Sequence, residues 1–409
     1  DNHNKVGLTK KQSHTESLMC KRTIEFSLPS VSESEMTFNV GSLMEHLQGL
    51  TDPRQARGVR YSLVHLLTLL ILAKLGGEDS MKGMEEWVQH RSCQLIDWLN
   101  LSRVSVPHQT TYERVLDGLN INEFEQVLHD FFTQEELDER TVNLDGKVLR
   151  GTIAEGATRG LHLLAAYVPE QSVVLMQVEV DRKANEIVAA PDLLEKIDLH
   201  KSVVTGDAMF TQRDLCQQIV TDGGDYVLPV KGNQAKLQQA IAEVFVPVPT
   251  MAGVSSGCLT HSHAQTFTTG HGRIEHRYLT VNSQLNDYLE WPHLAQVFRL
   301  QRLVQRQKTG KLSYQVVFGI TSLSIRDCPP ERLLTLLRSH WHIENRLHYV
   351  RDVTFHEDAC QIRQPKRQRI LATINNLAIS LIRQCDFDYI PEARRFFSVN
   401  YQHALRLLL

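Results

Sequence analysis

Paired cysteines are missing from this chain. Cys20, Cys93, Cys216, Cys258, Cys328, Cys360 and Cys385 are scattered with no Cys-x-x-Cys spacing, which excludes a zinc ribbon and a disulfide framework and fits a reducing cytoplasm. Long apolar runs are missing too. The longest, residues 66–75, is interrupted by Thr68 and Lys74 and is too short to span a bilayer, so no membrane partner is expected. No signal-peptide pattern precedes it. Charge of one sign is also scarce: 44 Lys and Arg against 47 Asp and Glu leave a net charge of −3. The whole molecule therefore has no electrostatic attraction to nucleic acid, and any such contact must come from local basic patches. What is present is ordinary for a soluble globular protein, with 42% hydrophobic and 22% charged residues in 409. A chain of that length accommodates about two or three domains.

Residues 1–40 are rich in Lys, Ser, Thr, Asn and Glu and read as a flexible tail without a core of its own. From 41 to 140 the apolar spacing is helical, most clearly over 63–75, a segment closed by Gly76-Gly77. Shorter helices are predicted over 80–91 and 94–99. A capped helix after Pro107, carrying His108, Gln109 and Arg114, has the form of a recognition helix for a major groove. Asp52-Pro-Arg-Gln-Ala-Arg-Gly58, with Arg60 beyond it, offers Arg54, Arg57 and Arg60 as phosphate contacts.

After Thr141 the period changes to that of strands. Runs at 142–144, 161–168 and 173–180 are followed by a helix over 184–196, a strand at 202–206, a helix over 213–221 and a strand at 226–230. Further strands are predicted at 272–281, 295–306 and 312–322, with turn chemistry at 253–257 and 308–311. His261, His263 and His271 lack the Cys partners or the helical His pair that a zinc site needs.

Three carboxylates stand out in this pattern. Asp145 and Asp207 each lie near the C-terminal end of a buried β-type run, where acids are depleted. Glu344 falls in a helical stretch in which Leu336, Ile343, Leu347 and Val350 form an apolar stripe, with His340, Glu344, His348 and Arg351 on its border. Oxygen ligands of this kind suit Mg²⁺ or Mn²⁺ better than zinc.

Several motifs extend the pattern: Asp52 to Gly58, Leu144-Asp-Gly-Lys-Val-Leu-Arg150, Lys183-Ala-Asn-Glu-Ile187, Val204-Thr-Gly-Asp-Ala-Met209, Asp225-Tyr-Val-Leu-Pro-Val-Lys-Gly-Asn-Gln234, His271-Gly-Arg-Ile-Glu275, His340-Trp-His-Ile-Glu-Asn345 and Phe355-His-Glu-Asp358. Together they resemble the DDE transposases of bacterial insertion sequences, specifically the type associated with the H-repeats of Rhs elements. Where the wider superfamily carries Tyr, Arg, Glu and Lys around its last acid, this chain has Leu337, His340, Glu344 and Arg351. Cationic character is kept while the individual contacts change.

The resemblance implies an α/β fold with a ribonuclease H-like catalytic domain over 141–235 and 319–385. A β-rich insertion over 236–318 interrupts it, an all-helical DNA-binding domain over 41–140 precedes it, and residues 386–409 form a C-terminal tail. In that fold Asp145, Asp207 and Glu344 hold two Mg²⁺ (or Mn²⁺) ions, with Asp145 as the bridging ligand. The implied partner is double-stranded DNA, both the terminal inverted repeats and the target, cut and joined by a homodimer in the bacterial cytoplasm. Arg54, Arg57, Arg60, His108, Arg114, Lys147, Lys231, Asn233, Gln234, Arg273, His340, His348 and Arg351 are the expected DNA contacts, and Arg346, Arg363, Lys366, Arg367 and Arg369 extend a basic track after Glu344. Two other readings stay open: a DNA-binding protein that has lost catalysis, and a zinc hydrolase using His340, Glu344 and His348 at helical spacing.

Overall fold

The computed structural model describes residues 43–409 except 135–138, 154–155, 157, 182–184, 247–260, 284–289, 361, 363, 386, 388 and 409. The expected N-terminal tail, Lys183 and Ala184, the turn at 253–257 and Arg363 lie outside the described residues. The described residues form one compact unit.

Six helices come first: α1 (Leu43–Gln48), α2 (Leu63–Leu75), α3 (Met81–His90), α4 (Ser92–Trp98), α5 (Gln109–Gly118) and α6 (Ile121–Phe132). Helix α2 begins where the Ser62 side chain accepts the His65 amide, and eleven of its thirteen residues are buried. A helix apolar all round belongs inside a bundle.

Nine strands follow: β1 (Arg140–Leu149), β2 (Leu161–Val168), β3 (Val173–Glu179), β4 (Ser202–Gly206), β5 (Asp225–Val230), β6 (Ser262–Gly270), β7 (Arg273–Asn282), β8 (Gln296–Arg306) and β9 (Leu312–Thr321). They make one sheet in the order β3-β2-β1-β4-β5-β9-β8-β7-β6. Strand β1 runs parallel to β4, and β4 to β5, while all other neighbours are antiparallel. Helices α7 (Glu186–Leu194), α8 (Arg213–Thr221) and α9 (Ala235–Val244) lie between the strands in sequence, and α7 packs on β2 and β3 while α8 packs on β5. Six successive residues of β3 are buried. Successive strand residues point to opposite faces, so both faces are covered there.

The chain closes with α10 (Pro330–Ser339), a π-helical turn (Ile343–His348), α11 (Tyr349–Val353), α12 (Pro365–Gln384), α13 (Ile390–Val399) and α14 (Tyr401–Arg406). Helix α12 has fifteen of its twenty residues buried and packs on α2, α5, α6 and β3, joining the N-terminal helices to the sheet.

Three elements differ from the sequence-based expectation. Residues 390–406, expected as tail, are two helices packed on α2, because Ile390, Phe397, Leu405 and Leu408 are apolar anchors at helical spacing. Arg394 adds an ion pair to Asp79 at 2.8 Å. Strand β6 was not expected, since its sequence SHAQTFTTG is polar and only Ala264 of it is buried. Finally, the strands after residue 261 do not stand apart from the main sheet: β9 bonds directly to β5, Val227 opposite Thr321 and Val230 opposite Phe318.

Candidate active site

Strand pairing sets the position of the first two acids. Leu144 of β1 is registered with Gly206 of β4 in parallel strands, so Asp145 and Asp207 each follow a paired residue on adjacent strands. Gly206 has no room for a side chain, because a Cβ there would lie 2.7 Å from the Phe210 ring. Phe210 thereby packs beneath the loop that carries Asp207.

The third acid comes from the π-helical turn, which contacts β1. Leu336, Ile343, Leu347 and Val350 are buried, as the apolar stripe predicts. The wider turn alters the border positions. His348 Nδ1 lies 3.3 Å from Asp145 Oδ2 and 3.4 Å from Glu344 Oε2, so one imidazole joins the strand acid to the helix acid. Ligand atoms of Asp145, Glu344 and His348 all fall within 4.8 Å of one another. Short π segments inside helices recur at functional sites, where the extra residue re-aims a side chain.

His340 completes the arrangement from the end of α10. Thr205 donates its hydroxyl to Asn143 Oδ1 at 2.7 Å, and Asn143 donates its amide to the Ser339 carbonyl at 2.9 Å. With its one proton used, Thr205 Oγ1 can only accept from His340 Nδ1, 3.1 Å away. This fixes the Nδ1–H tautomer and leaves Nε2 as a lone-pair site. Burial holds the His340 pKa below its ordinary value, against the opposing pull of Asp145 and Asp207 and with help from Lys231. The imidazole is therefore neutral at pH 7. Asp207, Lys231, His340 and Trp341 line one cavity of about 110 Å³.

His348 titrates the other way. Burial alone would lower its pKa, but hydrogen bonds to Asp145 and Glu344 outweigh it and raise the pKa. Glu344 is held below its ordinary range chiefly by the same hydrogen bond. The His348 Nδ1 is thus the group shared between the two carboxylates.

Other expected contacts are placed as follows. Arg57, Arg60 and Arg114 are exposed, as are Lys231 and Asn233. Arg54 is held by Asp52 at 2.6 Å, and His108 caps α5 and lies 3.4 Å from Glu85. Asn233 donates to the Ala208 carbonyl at 2.7 Å and Gln234 to that of Thr211 at 3.1 Å, tying the loop after β5 to the loop that carries Asp207. Arg273 is half exposed, 3.7 Å from Glu275.

Two cations expected to face DNA turn inward instead. Lys147 is buried and bonded to Asp352 at 2.5 Å. Arg351 is 1% exposed and paired with Glu357 at 2.8 Å. The wider turn carries Arg351 off the border that a regular helix would give it. Much of the basic run after Glu344 also faces the helices: Lys366 and Arg367 bond to Asp117 of α5, and Arg369 to Glu125 of α6. Arg346 remains exposed.

Sequence reasoning missed Asn143, Thr205, Asp352 and Glu357. Asn143, Asp145 and Lys147 alternate along β1 and share a face, a period-two signal that a longer strand assignment would have revealed.

Residues 137–381, more than half of the chain, match the family described as Transposase DDE domain, and residues 44–132 match its DDE_Tnp_1-associated segment. The chain belongs to the DDE transposase family. It is 31% identical to Putative transposase YncI of Escherichia coli O157:H7 over 85% of this chain and 88% of that protein. It is 29% identical to H repeat-associated putative transposase YhhI of Escherichia coli (strain K12), over 83% of this chain and 90% of that one. A solved piggyBac transposase synaptic complex with hairpin DNA aligns with 90% of this chain and 80% of its own at 9% identity and a TM-score of 0.41, too slight a likeness to carry an argument. Among the described residues of this DDE transposase family member, no helix is long and apolar enough to cross a membrane.

Proposed function

We propose that this chain is a transposase that binds the ends of a mobile DNA element in the bacterial cytoplasm and performs metal-dependent strand cleavage and strand transfer. The observation that carries the reading is the convergence of Asp145 and Glu344, 199 positions apart (344 − 145), on one imidazole, with Asp207 directly after the neighbouring strand. Strands β1 to β5, with two antiparallel strands followed by parallel β1-β4-β5, are the ribonuclease H-like core of this reading. The N-terminal helices are its DNA-reading part and β6 to β9 its insertion.

The donor set fits a hard divalent cation, since the carboxylates supply oxygens and His348 offers a ring nitrogen beside Asp145 and Glu344. Asp145, Asp207 and Glu344 would hold the metal. When bound, Mg²⁺ or Mn²⁺ supplies positive charge to the phosphate and acidifies a coordinated water. The chain's own groups do the rest. Water oxygen attacks the phosphorus at the element end while its proton passes through solvent to the departing 3′ oxygen, and the freed 3′-hydroxyl then attacks a phosphorus of the target strand, forming the new P–O bond as that strand's own 3′ oxygen leaves and takes up the proton. His340 Nε2 faces this site as a neutral acceptor, positioned by Thr205 and Asn143. Lys231 offers a cation at the cavity beside Asp207.

A path for the DNA backbone leads from the same cavity. Gln315 lines it and is registered with Arg302 on β8, which is registered with Arg277 on β7. Glu275, two residues along the same face, is buried among Arg273, Arg277 and Arg302, and the arginines depress its pKa against the effect of burial. It holds their guanidinium groups in place for phosphates. The zinc alternative is less well supported, because the third group beside Glu344 and His348 is Asp145 and not His340.

The test is incubation of the purified chain with DNA carrying the native element ends, with Mg²⁺ and with chelator. Cleavage at the element boundary only with metal is expected. Specific end binding with no cleavage in Mg²⁺ or Mn²⁺ would favour the catalytically silent reading.

A further inference from the structure

The outer half of β6 to β9 has two faces of opposite chemistry. Direct partners in register share a face, and rows two residues apart share it as well. One face carries Glu275 and its arginines. On the other, one row reads Phe267, His276, Leu303, Tyr314; the row beyond it reads Thr269, Ile274, Gln305, Leu312; the row before it reads Gln265, Tyr278, Gln301, Val316. None of these twelve residues is Asp, Glu, Lys or Arg.

Apolar side chains on this face are open to solvent: Phe267 is 68% exposed, Tyr314 62%, Leu312 61%, Leu303 40%, Ile274 39% and Val316 38%. Among the described residues, helix α9 covers the root of the face, where Phe245 stacks on Phe318. Helix α10 packs on β6 and β7 through Ala264 and Leu279, which belong to the opposite face. Four of the polar side chains on the open face pair with one another. His276 Nε2 meets Gln265 Oε1 at 3.2 Å, Gln301 donates to the Tyr314 hydroxyl at 2.6 Å, and the Phe267 ring stacks flat on His276 at 3.9 Å. Those pairings lower the cost of burying the face.

We propose that this face packs against the same face of a second copy of the chain, sheet on sheet, across a two-fold axis. Charge selects the occupant. A surface with no cation offers nothing to phosphate, and one with no charge of either sign is complementary to itself. Exposed apolar patches rimmed by polar groups mark interaction sites, and the basic turn with Lys308 and Lys311 lies at the rim. An antiparallel approach, the usual crossing of packed sheets, sends the two basic turns to opposite ends. A stable interface takes roughly 800 Å² per partner, and a patch of three rows on four strands is expected to fall below that. The association is accordingly weak and concentration-dependent.

This inference does not depend on the cleavage chemistry, and its test uses the full chain without DNA. Sedimentation over about 1 to 200 µM should show a reversible monomer–dimer equilibrium. Leu303→Arg should shift it to monomer at least tenfold in Kd, and Tyr314→Arg should do the same if Leu303→Arg fails to fold, with Lys311→Glu unchanged as a control beside the patch. A wild-type monomer at every concentration overturns the proposal, as does a dimer that both arginine variants leave intact. Weaker DNA binding by Phe267→Ala and Tyr314→Ala in a chain that stays monomeric would assign the face to nucleobases, which also overturns it.

Discussion

Glu357 shows how a side chain remote from the chemistry supports it. It is fully buried, bonded to Arg351 and to Asn375, and the Arg351 guanidinium holds its carboxyl below the ordinary range although burial pulls the other way. Its contribution to stability is thus present above the unfolded pKa of about 4.3 and is lost as pH falls through the depressed folded value. Glu357→Gln leaves a buried, unpaired Arg351, a change that costs about 3–5 kcal/mol. Chemical denaturation should show that loss at pH 7 and a narrowing gap between variant and wild type below about pH 4, as the wild-type carboxyl protonates. A gap that widens with acid would contradict the assignment. The approach of Asp145 and Glu344 to one another was legible as a pair of candidates because acids at strand ends and on an apolar helix border are rare, whereas Asp207 follows the neighbouring strand and is not in the group that meets at His348. The polar clamp of Asn143, Thr205 and His340 was not, because it depends on the parallel register of β1 and β4, which no local pattern encodes.

At the scale of elements, the π-helical turn explains why a regular-helix projection failed for part of the site. A spacing of 100° per residue puts Arg351 beside Glu344, whereas the wider turn delivers it to Glu357. Helices α13 and α14 are the other case. Their apolar residues are few and follow a break in the pattern, so only the groove on α2 that receives them shows their role. Removing residues 390–409 deletes the buried Ile390, Phe397, Leu405 and Leu408, worth about 1.5–3 kcal/mol each when fully buried, and exposes the surface of α2 that they cover. A truncated chain should melt many degrees lower or fail to fold in circular dichroism, and an unchanged melting temperature would show that the two helices are dispensable.

Across the whole molecule, α12 binds the N-terminal helices to the sheet, which changes how DNA recognition has to be tested. Buried Arg369 is bonded to Glu125 of α6 at 2.5 Å, and Gln177 of β3 donates to the same carboxylate at 2.9 Å. An isolated 41–140 piece would expose both α2 and this network, so point substitutions in the full chain are the sounder probe. Arg57→Ala, Arg60→Ala and Arg114→Ala together should weaken end binding and reduce the slope of log K against log salt by about 0.9 for each phosphate left without its arginine. An unchanged salt slope would remove these arginines from the interface. The order of strands and helices was legible from the change of period after Thr141. The continuation of one sheet from β5 into β9 was not, because it joins segments about 90 residues apart (318 − 230 = 88) through pairings that only tertiary structure supplies.

The central claim is that Asp145, Asp207 and Glu344 act as one metal-dependent centre. Asp145→Asn, Asp207→Asn and Glu344→Gln remove a ligand charge apiece and little DNA-contacting surface. End binding and Mg²⁺-dependent cleavage, measured on the same preparations, should separate. Each variant is expected to bind element ends within about threefold of wild type while cleavage falls by at least about a thousandfold, roughly 4 kcal/mol in the barrier. Cleavage retained near the wild-type rate by any one of the three would show that its carboxylate is not part of the centre.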